Sequence, residues 1–307
     1  MGNDSVAPQQ RHSSISRSAE PRCVIVLHIP KTAGSSLLSI VRRNYSPKHR
    51  WEFRGADWPQ QIADFSRSPP ADADRIRCLM GHVPYGVHRL LPIPCTYITL
   101  MRDPVDLTLS LYYALLTKPQ RHDSLKVVAR EHMPLDVFVD HLQREGNGNL
   151  QTRFIGGFLP MEQVLPPYPR LPANALEIAR ANLERSFSEV GLVEHFDASV
   201  LLMRDALGWR NAHYARENVT GQRPRDLALT DAQRDRILQC HSLDAALYES
   251  VRRNFLKRLE HLQPAFARKL ARYKRTNSIY EGATTRYRQL RRIVGRVKRQ
   301  LLRRPIG

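Results

Sequence analysis

The stretch CVIVLHIPKTAGSS, from Cys23 to Ser36, decides the fold. Cys23 to Ile29 form a continuous apolar run rich in β-branched side chains, the pattern of a strand buried on both faces. Pro30 breaks the run, and Gly34-Ser35-Ser36 opens a helical pattern carried by Leu37, Leu38, Val41 and Tyr45. A buried strand that turns straight into a helix leaves amide N–H groups with partial positive charge at the turn, and such a turn suits a phosphate or sulfate group. Gly34 lets the backbone approach the anion, Lys31 supplies a full charge, and Thr32, Ser35 and Ser36 supply hydroxyl donors. The expected anion-binding segment is therefore Lys31, Thr32, Ala33, Gly34, Ser35 and Ser36. It is not a Walker A loop, because the lysine precedes the glycine. The plain alternative is an ordinary strand-to-helix turn with a solvated lysine.

Working outward, Ile76 to Gly81 reads as a second strand ending at His82. Cys95 to Met101 reads as a third, followed by Arg102-Asp103-Pro104. Pro104 fits the first helical position, where its missing N–H costs nothing, and Val105, Leu109, Tyr112 and Leu116 give that helix an apolar face. Arg102 then stands at the carboxyl end of a strand, where open α/β sheets place ligands, with Ser110 about two helical turns further on. A fourth strand is expected at Glu189 to Val193, a helix from about Asp197 to Leu207, and helices after Thr230. The Pro-dense stretch from Pro160 to Pro172 reads as a long surface loop. The pattern predicts an α/β protein: one domain with a central, mostly parallel sheet flanked by helices, plus a helical C-terminal portion. Residues 1–21, rich in Ser, Gln and Arg, are expected to be disordered, with the folded domain at 22–264 and a basic helical tail at 265–307.

The chain has 307 residues with 48 Lys and Arg against 29 Asp and Glu, a formal charge of +19. Of that, +13 lies in Ala265–Gly307, where Tyr287, Leu290, Val294, Val297 and Leu301 recur at 3-4-3-4 spacing among arginines. This tail is expected either to pack on its own domain or a partner helix, or to make a peripheral contact with an anionic membrane or polyanion. No zinc-finger, helix-turn-helix or RNA-binding signature occurs, so no specific nucleic-acid partner is expected. The four cysteines, Cys23, Cys78, Cys95 and Cys240, are far apart without a C-x-x-C pair and read as reduced thiols. No apolar run approaches a membrane span, and no secretory or myristoylation signal is evident. A cytoplasmic localisation follows as an expectation, with contact at the inner membrane face as an extension. The twelve histidines show no HExxH and no Cys/His ligand spacing, so no metal is expected.

Taken together, HIPKTAGSSL and TLMRDPVDLTLSLYY resemble the sulfotransferase superfamily. The first is similar to its loop for the 5′-phosphosulfate of 3′-phosphoadenylyl sulfate (PAPS), and the second to its 3′-phosphate segment, with Arg102 and Ser110 at the contact positions. His-Ile-Pro-Lys-Thr-Ala-Gly points to the branch with carbohydrate enzymes such as the heparan sulfate 2-O-sulfotransferases. The resemblance continues through GHVPYGVH (Gly81 to His88), NLQTRFIGG (Asn149 to Gly157), VGLVEHFDASVLLM (Val190 to Met203) and LDAALYESV (Leu243 to Val251), spanning about residues 22–255. Ser35 stands where the family more often has Thr. The membrane anchor of the animal Golgi members has no counterpart here, so a soluble, bacterial-type member is expected.

This resemblance implies a P-loop-like sulfotransferase fold and sulfuryl transfer from PAPS to a hydroxyl of an acceptor, a carbohydrate or glycoconjugate. It assigns the catalytic-base role to His82. Lys31 is placed to stabilise charge growing on the leaving bisphosphate. His88 is a secondary candidate. Asn149, Gln151, Thr152 and Arg153 form a polar cluster that either lines the acceptor side or simply starts a helix. Arg216 and Arg223 are expected to close over the nucleotide. A nucleotide-dependent phosphotransferase, and a non-catalytic polyanion- or membrane-binding module, stand as the competing readings.

Overall fold

A computed structural model of the 307-residue chain describes residues 22–55, 57–117, 133–159, 168–216 and 229–301. The expected disordered segment 1–21 lies outside these residues, as does Arg223. Five strands, β1 (Cys23–Leu27), β2 (Arg50–Glu52), β3 (Cys78–Gly81), β4 (Cys95–Met101) and β5 (Phe187–Leu192), form one parallel sheet in the order β2-β3-β1-β4-β5. Among the described residues ten α-helices accompany it: α1 (Gly34–Asn44), α2 (Trp58–Arg67), α3 (Pro104–Thr117), α4 (Leu135–Arg144), α5 (Leu150–Gly156), α6 (Ala175–Ser186), α7 (Phe196–Leu207), α8 (Asp231–Cys240), α9 (Ser242–His261) and α10 (Ala265–Leu301). This is the predicted α/β architecture. The short edge strand β2 and the helices α2, α4 and α6 are additions to the sequence reading.

The continuous apolar run of β1 is explained by its central place, since every residue from Cys23 to Leu27 is buried between β3 and β4. The chain leaves β1 for β2 and β3 on one side and then crosses to β4 on the other. The sheet's topological switch point therefore lies between β1 and β4, and its crevice opens at their carboxyl ends. A second, smaller apolar cluster (Val105, Leu109, Leu115, Phe138, Leu142, Ile237) joins α3, α4 and α8 and fixes α3 as it leaves that crevice. All four cysteines are free thiols, three of them buried.

The C-terminal helix does not begin at the edge of the core. Phe266, Tyr273 and Asn277 are buried, and both aromatics belong to the main apolar cluster. Lys269 pairs with Asp205, and the Tyr273 hydroxyl donates to the Ala212 carbonyl at 2.7 Å. The charge-based boundary at residue 264 thus cuts ahead of three turns of helix that are packed on the domain. The first unbroken exposed stretch of the helix beyond this packed part is residues 285–291.

Candidate active site

Three adjacent strands deliver the chemistry-bearing residues to one edge. β1 ends in the Lys31 loop, β3 in His82 and β4 in Arg102. Strands in a sheet lie about 4.8 Å apart, so His82 and Arg102 flank the loop from either side. Cross-links confirm the proximity. Arg102 Nη1 donates to the Lys31 carbonyl at 3.1 Å, and His82 Nδ1 bonds the His28 carbonyl at 2.8 Å.

The loop's backbone is strained where it matters. Lys31 (φ 67°) and Ala33 (φ 56°) are both left-handed, a conformation that costs a residue with a Cβ about 1–3 kcal/mol. Alternating backbone handedness turns successive N–H groups toward one concavity, the geometry that cups an anion. Helix α1 starts on Ala33 with no side-chain cap and no acid in its first turn, so its positive end is not neutralised from within the helix. Thr32 is used differently from the expectation. It is buried, and its hydroxyl donates to the Ile29 carbonyl at 2.7 Å, so it braces the turn while Ser35 and Ser36 occupy the first turn of α1.

Gly34 is required by a neighbour. A Cβ at this position would overlap the His28 imidazole, which packs under the loop. The His28 ring stacks on His82 with centroids 4.2 Å apart. Burial foremost, then the His82, Arg42 and Lys31 charges, hold the His28 pKa well below the usual imidazole value. The His28 carbonyl can only accept, so His82 Nδ1 carries the proton of that bond, and in the neutral ring Nε2 bears the lone pair. That tautomer is the one a general base needs.

Behind Arg102 stands a chain of buried partners. Gln151, fully buried, accepts the Arg102 N–H at 2.9 Å and donates to the Arg102 carbonyl at 2.8 Å. Asp244 caps α5 by accepting from Gln151 N–H (3.0 Å), Thr152 N–H (2.7 Å) and the Thr152 hydroxyl (2.7 Å). Asn149 returns the favour, its Oδ1 accepting from the Leu243 and Asp244 N–H groups at the start of α9, while its own N–H donates to His241 Nδ1. Burial raises the Asp244 pKa and lowers that of His241. Arg153 donates to the carbonyls of Gly148 and Pro169 and lies over the Tyr168 ring. Gln151, Thr152 and Arg153 are each at most 4% exposed. An acceptor-lining role for Asn149, Thr152 and Arg153 is therefore corrected: Asn149 and Thr152 lock α5 to α9, and Arg153 ties α5 to the carbonyls of Gly148 and Pro169.

The remaining candidates separate. Ser110 is buried in α3, and Asp103 caps that helix by accepting from Val105 and Asp106 N–H. His88 lies against Tyr97. The Tyr97 hydroxyl accepts from Gly86 and His88 N–H, which directs its own proton to His88 Nδ1 at 2.8 Å. Burial lowers the His88 pKa, and the ring lines a cavity of about 610 Å³ with Tyr85, Arg89, Asn182 and Arg185. Ser186, which also lines it, immediately precedes β5, so this cavity opens at the amino end of the sheet, away from Lys31 and Arg102. Arg216 is exposed and its N–H donates to Glu281 of α10. Among the described residues, no group of three or more His, Cys, Asp or Glu comes together to hold a metal.

A parallel sheet whose switch point gathers an anion-cupping loop, a lysine, an arginine and a histidine has the arrangement of an enzyme that transfers an anionic group. The comparisons supply the particular family. A model of galactose-3-O-sulfotransferase matches residues 3–281, so the chain belongs to that family and is a sulfotransferase. Galactosylceramide sulfotransferase from Mus musculus is 25% identical over 297 residues, covering 90% of this chain and 67% of the relative. The Bos taurus protein of the same name is 26% identical over 292 residues (88% and 66%), and the Homo sapiens protein 26% over 278 residues (83% and 62%). The chain thus spans about two thirds of the length of these relatives. The family implies PAPS as sulfate donor and a glycoconjugate as acceptor.

The same finding corrects the cytoplasmic localisation expected from the sequence. The relatives are animal enzymes named for galactosylceramide, a membrane glycolipid, and they belong to the side of the family from which the chain was expected to differ. Among the described residues no helix is long and apolar enough to cross a membrane.

Proposed function

We propose that this sulfotransferase moves the sulfuryl group of PAPS to a hydroxyl of a galactose-bearing glycoconjugate, using the crevice between β1 and β4. The observation that carries this reading is the Arg102–Lys31 hydrogen bond across the switch point, with His82 anchored to His28 on the other flank. PAPS supplies an activated sulfuryl group whose transfer leaves a 3′,5′-bisphosphate. Lys31 and the first amide groups of α1 bind the 5′-side anion and stabilise charge on the departing oxygen. Arg102 and Ser110 read the 3′-phosphate. His82 Nε2 takes the acceptor hydroxyl proton as the new S–O bond forms. The bonds of Gln151 to the Arg102 backbone and of the Asp103 N–H to Glu194 fix the backbone at the end of β4 from which the Arg102 side chain reaches the Lys31 carbonyl.

The family and the relatives' names support a galactose acceptor. Transfer of labelled sulfate from PAPS should be measured with galactosylceramide, a soluble β-galactoside, and the same galactoside methylated at its 3-hydroxyl. Transfer to the first two and none to the third is expected. The family description points to the galactose 3-hydroxyl, so equal transfer to the 3-O-methyl compound refutes that position, and transfer to no galactoside refutes the acceptor class.

A further inference from the structure

Helix α10 leaves the domain with a face that nothing in the described structure covers. After the buried Asn277, Ile279 (68%), Tyr287 (59%), Leu290 (62%) and Val294 (65%) are exposed, and residues 285–291 are exposed without interruption. From Gly282 to Leu301 the helix carries seven Lys and Arg and no acid. At about 1.5 Å per residue, those twenty residues extend about 30 Å from the domain. The apolar positions Tyr287, Leu290 and Val294, continued in the sequence by Val297 and Leu301, fall on one side of the helix, with arginines at its margins.

Three kinds of occupant fit an apolar stripe or a basic helix, and charge with hydrophobicity separates them. A second copy of α10 would use the stripe as a coiled-coil seam. The charged positions flanking such a seam are Arg286, Arg291 and Lys298, with no Asp or Glu on the segment to pair with them, so self-association sets like charges against each other. A soluble polyanion would neutralise the arginines and leave the stripe in water. A bilayer bearing anionic lipid satisfies both features at once, taking the stripe into the acyl boundary and the arginines into the headgroups. We propose that residues 282–301 form an interfacial helix that docks the enzyme on an anionic membrane surface. A lipid-borne acceptor would be presented there, but the docking itself does not depend on the acceptor assignment.

The test uses the full chain and vesicles of phosphatidylcholine with or without phosphatidylglycerol, read by flotation. Wild-type protein should float with the phosphatidylglycerol vesicles only. Raising salt from about 0.1 M to about 1 M shortens the Debye length from about 10 Å to about 3 Å and should weaken binding. Combined Tyr287→Ser, Leu290→Ser and Val294→Ser should lower the partition coefficient at least about tenfold while retention on immobilised heparin persists, because the arginines remain. Combined Arg286→Gln and Arg291→Gln should lower both. All five positions are exposed, so circular dichroism and thermal midpoint should not change. Failure of the wild type to float overturns the proposal. Undiminished flotation of the serine variant overturns it in favour of a purely electrostatic polyanion contact. A stripe-dependent dimer in sedimentation equilibrium, with no flotation, overturns it in favour of a second copy.

Discussion

Replacing Gln151 by alanine isolates the contribution of the buried chain behind Arg102. Gln151 touches that residue only through its backbone, accepting the N–H at 2.9 Å and donating to the carbonyl at 2.8 Å. Each such bond contributes about 0.5–1.5 kcal/mol, and a buried partner left unsatisfied costs about 1–3 kcal/mol. Gln151→Ala should therefore destabilise the fold by about 2–4 kcal/mol, measurable by urea unfolding. Its specific effect is on ligand reading. If the Arg102 fork loses its aim, one charge-assisted contact worth about 1.5–3 kcal/mol goes with it, or about 10- to 150-fold in affinity. Calorimetry with 3′,5′-ADP and 5′-AMP separates this from general damage, because only the former carries the 3′-phosphate. The variant should bind 3′,5′-ADP that much more weakly while 5′-AMP changes little, and Arg102→Ala should show the same pattern. Equal losses for both nucleotides would mean that Gln151 is only structural. If Arg102→Ala itself spares the preference for 3′,5′-ADP, the assignment of Arg102 to the 3′-phosphate is wrong.

His82→Ala should cut sulfate transfer by about 10²–10⁴ while leaving 3′,5′-ADP affinity nearly unchanged, and near-normal turnover would remove His82 as the base. Gly34→Ala should drive a Cβ into the His28 ring, costing about 1–3 kcal/mol in thermal unfolding and lowering transfer, since His28 supports His82. Stability should fall with acid. His28, His88 and His241 are all held below their ordinary pKa, foremost by burial, so the unfolded chain takes protons near pH 6.5 that the native state refuses. The loss, up to about 1.4 kcal/mol per pH unit for each histidine, should appear between urea curves at pH 7.5 and 5.5, and coincident curves would contradict it. A chain ending at Gln263 should unfold or aggregate, because Phe266 and Tyr273 leave the core, whereas one ending at Glu281 should keep its thermal midpoint and 3′,5′-ADP binding.

What was legible in the sequence is what local patterning controls. The apolar run of β1, the Pro104 helix start and the His82 and Arg102 strand ends follow from burial and turn chemistry within a few residues, and the structure places all of them as read. The Asn149–Arg153 cluster was illegible because its partners, His241 and Asp244, lie more than ninety residues away. A polar cluster satisfied by a distant helix looks the same in sequence as one that faces a ligand. The hint available was Asp244 itself, an acid in an apolar frame near the start of a helix, the position where carboxylates cap. The tail misled for a related reason. Fourteen basic residues dominate the composition of 265–307, and they mask the few positions, Phe266, Tyr273 and Asn277, that face the core.

The paired histidines show how packing settles chemistry. Two imidazoles in stacking contact cannot both charge cheaply, so a proton delivered to the pair must fall on one. Burial under the Lys31 loop disfavours the cation on His28, and Lys31 and Arg42 add to that penalty. His82 is tied to the His28 carbonyl through Nδ1–H, a bond that strengthens when the ring becomes imidazolium, since its donor is then charged. A proton delivered to the pair at His82 Nε2 would therefore stay on His82. Burial does most to keep the second imidazole neutral, with the Lys31 charge the smallest of the contributions. Gly34 makes the arrangement possible, because only a residue without a Cβ lets the His28 ring sit beneath the loop.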